Sequence, residues 1–90
     1  MDEDKLKKLR ELLDEQNQWP AIFLFKFIVP SDADKVSELK QIFGESAEFS
    51  TRLSGKGNYT SVSIKEMMLD ADSIFDRYRK ASSIDGIIAL

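Results

Sequence analysis

The sequence contains no cysteine and no histidine. Without cysteine there is no disulfide, no thiolate metal ligand and no thiol nucleophile. Without histidine the commonest general base and the commonest metal ligand are missing. Proline occurs twice and glycine four times, and no linker, repeat or low-complexity segment divides the chain. No apolar run approaches the ~18 residues of a membrane span. The acidic start Met1-Asp2-Glu3-Asp4 is unlike the basic-then-apolar build of a signal peptide, so a cytoplasmic protein is expected. Net charge is −3 and the isoelectric point about 4.9, which speaks against non-specific attraction to nucleic acid or anionic membrane.

What is present is a small globular domain. Apolar residues make up 42% and charged residues 32% of 90 residues, ordinary values for a folded chain. A domain of this size buries about 60–65% of the surface exposed by its unfolded form, so its core is modest. Residues 1–18 read as a helical extension and residues 19–90 as one domain.

In the extension Leu6, Leu9, Leu12 and Leu13 recur at helical spacing. Asp2, Glu3 and Asp4 sit where the helix dipole favours acids. Such a helix is too short to stand alone in water, so its leucines must dock. Residues 21–29, AIFLFKFIV, are apolar on both faces and predict an interior strand. Phe23, Phe25, Phe27 and Val29 share one face; Ile22, Leu24, Lys26 and Ile28 share the other. A helix follows, with Ser31 as expected N-cap, Asp34 as its capping-box partner, a stripe of Val36, Leu39, Ile42 and Phe43, and Gly44 at the C′ position.

Residues 47–53 alternate, with Phe49, Thr51 and Leu53 inward and Glu48, Ser50 and Arg52 outward. Ser54-Gly55-Lys56-Gly57-Asn58 is a turn whose two glycines suit positive φ. The returning strand, residues 59–65, turns Thr60, Val62 and Ile64 inward and Tyr59, Ser61, Ser63 and Lys65 outward. A helix from about Asp70 to Ala81 is expected to use Asp70 as N-cap. It buries Ala71, Ile74, Phe75, Tyr78 and Ala81, and leaves Arg77, Arg79 and Lys80 solvated in its last turns. Residues 84–90 predict a last apolar strand. Two split βαβ halves with right-handed crossovers give an α+β, ferredoxin-like βαββαβ sandwich. Its antiparallel sheet has order 4-1-3-2 with both helices on one face.

Few residues carry candidate chemistry. Gly55-Lys56-Gly57-Asn58 has the glycines of an anion-binding nest, but no helix follows it and a hairpin turn explains it. The pairs Asp32/Asp34 and Asp70/Asp72 fall at helix starts and read as caps before metal ligands or an acid–base pair. The open sheet face offers more. Lys26, Arg52, Tyr59, Ser61 and Ser63 converge there, beside the turn residues Lys56, Gly57 and Asn58. Two readings stand for it: a binding surface, or a face partly covered by the N-terminal helix with Lys26 reaching its edge.

Two segments resemble a known family. Trp19-Pro20-Ala21-Ile22-Phe23-Leu24-Phe25-Lys26-Phe27 is similar to its aromatic-Pro-x-x-Phe-x-aromatic-Lys entry into the first strand. Ser54-Gly55-Lys56-Gly57-Asn58-Tyr59-Thr60-Ser61-Val62-Ser63-Ile64 resembles its Ser-x-Lys-Gly-Asn-Tyr-x-Ser-Val-Ser hairpin, and Leu9-Arg10-Glu11-Leu12-Leu13 its short leading helix. The family is the YbeD-like group of small bacterial domains of unknown function. The resemblance implies a ferredoxin-like fold close to regulatory ACT domains, in a group sometimes labelled lipoate-regulatory. It implies no catalytic residue and no cofactor. Ligand-binding ACT domains carry a glycine after the first strand, whereas Val29-Pro30-Ser31-Asp32 has none, which speaks against amino-acid binding.

The expected function is a non-enzymatic regulatory or adaptor module. It would bind a protein partner or small metabolite through the sheet face or edge. A homodimer is expected through the apolar fourth strand or the adjoining face, with Ile88 near its centre, unless the N-terminal helix shields that region. The alternative is nucleic-acid binding on the sheet face, which needs stacking aromatics and a basic surface. An acylphosphatase-like hydrolase would need an anion-cradling arginine loop after the first strand, and that loop is acidic here.

Overall fold

A computed structural model describes residues 3–90. Met1 and Asp2, the latter part of the acidic helix start, lie outside the described residues. The elements run α1 (Glu3–Gln16), β1 (Ala21–Pro30), α2 (Ala33–Ile42), β2 (Glu48–Leu53), β3 (Tyr59–Met68), α3 (Ala71–Ala81) and β4 (Ile88–Ala89). The strands form one antiparallel sheet in the order β2-β3-β1-β4. This is the 4-1-3-2 arrangement counted from the other edge, compatible with a ferredoxin-like α+β fold.

The alternation of β1 decides where the core lies. Phe25, Phe27 and Val29 are buried, facing the helices with Val62, Ile64 and Met68 of β3. Leu39 and Phe43 reach them from α2 and its end, and Ile74, Ala81 and Ile84 from α3 and the turn after it. The Phe25 ring lies 5.0 Å from that of Phe43 and 5.3 Å from that of Tyr78. Burying such a ring contributes about 1.5–3 kcal/mol by apolar area alone. Phe23, Val36, Phe49 and Ile87 pack on this cluster half-buried.

Several local expectations change. Asp32, not Ser31, caps α2, its carboxylate accepting the Asp34 N–H at 2.9 Å. Ser31 is held in the sheet instead, donating its N–H to the Asn58 carbonyl, with its hydroxyl 3.0 Å from that of Thr60. Gly44 is not a left-handed cap. Phe43 ends α2 in extended conformation, and the Gly44 N–H donates to Glu66 Oε2 at 2.6 Å. A Cβ there would stand 2.7 Å from the same oxygen. Of the turn glycines only Gly57 has positive φ, +75°. Asp70 does cap α3, accepting from the Ser73 N–H and hydroxyl.

On β2 only Phe49 is even half-buried, while Thr51 and Leu53 are exposed because the strand runs out past the helices. β3 continues to Met68, adding Glu66 and Met68 to its inward row. β4 keeps two residues of the expected seven, because Gly86 turns the chain at φ +78° against Pro30. Phe75 is half-buried.

Helix α1 has no buried residue. It lies on the helix side, joined to α3 by the Arg10–Asp72 ion pair, with Leu13 packed on the core cluster and Leu9 and Leu12 exposed. Trp19 Nε1–H donates to Asp14 at 2.9 Å, and the Trp19–Pro20 peptide is cis.

Candidate functional site

With α1 and α3 on the helix side, the other face of the sheet carries side chains from all four strands. Its layout follows from register. Lys26 of β1 stands opposite Ser63 of β3, which stands opposite Ser50 of β2. In the next row towards the hairpin, Ile28 faces Ser61, which faces Arg52, while Ile88 of β4 lies on the other side of Ile28. Pro30 and Tyr59 close that end. In the opposite direction come Leu24, Lys65 and Glu48, then Ile22 and Met67.

Lys26, Arg52, Tyr59, Ser61 and Ser63 are therefore brought together on one surface. Lys56, Gly57 and Asn58 lie beyond its end in the turn between β2 and β3. That turn is occupied with itself. The Gly57 N–H donates to the Ser54 carbonyl at 2.9 Å and the Tyr59 N–H to the Ser54 hydroxyl at 3.2 Å. The Gly57 N–H is thus spent and not free to cradle an anion.

Two properties mark the face. First, aliphatic side chains stand in water: Ile22 is 67% exposed, Met67 52% and Ile88 51%. Second, its cations have no anionic partner. Lys26, Arg52 and Lys65 form no ion pair among the described residues, whereas Arg10, Arg77 and Lys80 on the helix side are each paired. Only Glu48 opposes these charges on the face, which is locally positive in a chain of net charge −3. The N-terminal helix does not cover this surface. Lys65, read as outward, is not counted in the predicted cluster, and Met67 is missing from the predicted face; extending the period-two pattern of β3 past Lys65 places Met67.

Arg77 departs furthest from its expected role at a solvated helix end. Its guanidinium turns inward, with Nη2 3.0 Å and Nε 3.1 Å from Glu66 Oε1 and Nη1 2.9 Å from the Ile42 carbonyl. Glu66 is 4% exposed. Every polar atom of this buried group has a partner, so it reads as a structural pin. No group of three or more acidic side chains that could hold a metal occurs among the described residues. Among the described residues no helix is long and apolar enough to cross a membrane.

Comparison with curated proteins and with solved structures finds no match. A family match runs over residues 14–90, from the last turn of α1 through β4. It takes in the segments 19–27 and 54–64 that resemble the family, though not 9–13, and the chain belongs to the family described as Protein of unknown function (DUF493), the YbeD-like group.

Proposed function

We propose that this protein is a non-enzymatic binding module of a regulatory or adaptor kind, cytoplasmic, that docks a protein partner on its open sheet face. The observation that supports this most is the pairing of exposed aliphatic residues with unpartnered cations on one uncovered surface. Water gains when Ile22, Leu24, Met67 and Ile88 are covered, and Lys26, Arg52 and Lys65 favour a partner whose apolar patch is bordered by carboxylates. The face is open, without the concavity that encloses a small metabolite.

Its positive charge favours a second reading, nucleic acid. Single-strand recognition on a sheet relies on two or three stacking aromatics. Here Tyr59 is the one aromatic on the face, and aliphatic side chains occupy the other stacking positions.

A photo-crosslinker at Ser63 tests the reading in the native cell. One protein should be captured by the wild type, lost with Lys26→Glu and kept with Lys80→Glu, and the purified pair should bind with the same ranking. Oligonucleotide binding abolished by Lys26→Glu would replace the protein reading with the nucleic-acid one. Sedimentation of the intact protein and of a variant lacking residues 1–16 reads whether a second copy is the partner.

A further inference from the structure

Strand β1 has two edges with different surroundings. Towards β3 all of it is paired, from Ala21 with Met68 to Pro30 with Tyr59. Towards β4 only Phe27 and Ile28 are paired, and the Leu90 N–H adds one bond to the Lys26 carbonyl at 2.9 Å. That bond fixes the phase: the even-numbered residues of β1 turn their backbone groups away from β3. Ile22 and Leu24 thus direct N–H and C=O along an edge that no described strand covers. Unpaired backbone groups of this kind template another strand.

Next to this edge, on the helix side, runs a groove of about 990 Å³ between α1, α3 and β4. Leu6, Leu9 and Leu13 line one wall, and Phe23, Ile74 and Phe75 the other. Leu6, Leu9 and Leu13 remain partly exposed around it.

We propose that an extended segment of a partner protein adds to β1 at Ala21–Phe25 as a fifth strand and fills the groove with alternate side chains. Three features select this occupant. The free groups on Ile22 and Leu24 belong to backbone and are satisfied by another backbone. A strand presents side chains to its two faces in turn, so one set enters the groove and is apolar. The other set lies on the open face beside Lys26, whose unpaired ammonium is complemented by a carboxylate there. The uncovered edge is about 16 Å long, room for five residues. This site stands apart from the face docking proposed above, since it depends on backbone pairing and the groove.

Hydrogen exchange of the intact free protein is the first arm of the test: Ile22 and Leu24 amides should exchange freely while Phe23 and Phe25 are protected. Slow exchange at Ile22 and Leu24 would overturn the proposal. In the second arm, nine-residue peptides are selected on the protein from a random displayed library. Selected peptides should alternate apolar residues with polar ones that include acids, and should protect the Ile22 and Leu24 amides. N-methylation of every second peptide amide should weaken binding about tenfold or more, and methylation of the intervening amides little. Leu24→Pro, which removes an outward N–H, should abolish binding. No selectable peptide, protection elsewhere, or a methylation pattern without a period of two would each sink the idea.

Discussion

Glu66 of β3 and Arg77 of α3 join through two nitrogen–oxygen contacts of 3.0 and 3.1 Å beneath the end of α2. The carboxylate also accepts the Gly44 N–H, and the guanidinium donates to the Ile42 carbonyl and lies 5.6 Å over the Phe43 ring. One ion pair thereby fixes a strand, a helix and the connection leaving a second helix.

Breaking this pair from either side should be costly. Arg77→Ala leaves the buried Glu66 carboxylate without its partner, and the expected loss is about 3–5 kcal/mol; Glu66→Ala leaves the half-buried Arg77 guanidinium, which water reaches, and should cost less. The double variant Glu66→Ala/Arg77→Ala should lose less than the sum of the two single changes, because the residues act as one unit. Urea unfolding of the three variants measures both numbers.

Phe25→Ala removes the ring that touches Phe43, Tyr78, Phe23 and Phe27. A loss of about 3–5 kcal/mol is expected. A loss below ~1 kcal/mol in chemical denaturation would contradict the buried phase of β1.

The two left-handed glycines should respond differently. At Gly57 a Cβ meets nothing within 4 Å, so Gly57→Ala should cost only the backbone strain of about 1–2 kcal/mol. At Gly86 a Cβ would lie 2.9 Å from Pro30 Cγ, so Gly86→Ala should cost more than Gly57→Ala. Lys56→Ala, on the exposed turn, should stay within ~0.5 kcal/mol of wild type. Thermal or urea unfolding ranks the three.

Asp70 predicts a pH dependence. The Ser73 backbone N–H, then its hydroxyl, hold the Asp70 carboxyl below its ordinary value of 3.8. A carboxyl lowered on folding stabilises the native state above its unfolded pKa. That contribution is lost as pH falls through the folded value. The stability difference between wild type and Asp70→Asn should therefore narrow as pH drops below 3.8, and a constant difference across that range would refute the cap's electrostatic role.

Most of this architecture was legible because β1 and β3 state their faces in alternate residues and α3 announces its start with Asp70. Glu66 was not. It follows Lys65, so the pair reads as the polar end of a strand, and its partner Arg77 sits in a run with Arg79 and Lys80 that resembles a solvated helix end. Only the fold brings the two together. The α2 cap was ambiguous for another reason: Ser31 and Asp32 both carry the required oxygen, and Thr60 and Asn58, far along the chain, hold Ser31 in the sheet. Residues 84–90 read as a full strand because apolar composition does not record the bend imposed by Gly86. The docking face of α1 was equally hidden, since a leucine stripe states that it must be covered but not by what. On the open face the shared side of Lys26, Tyr59, Ser61 and Ser63 followed from alternation alone, while the register of Lys26 with Ser63 and the lack of an ion-pair partner for Lys26 required the structure.

Helix α1 has a thermodynamic consequence of its own. It contributes no buried residue; Leu13 packs on the core cluster, and the exposed Arg10–Asp72 pair and the Asp14–Trp19 hydrogen bond add polar contacts. Solvent-exposed pairs of that kind are worth at most about 1 kcal/mol and weaken with salt. A segment so attached opens at far lower free energy than the sheet beneath it, as a separate cooperative unit. Its amides should exchange by local unfolding that leaves β1 and β3 intact, faster at high ionic strength. Such opening would give the groove it borders a second, wider accessibility, and added salt should shift the balance towards it by no more than the exposed pair contributes.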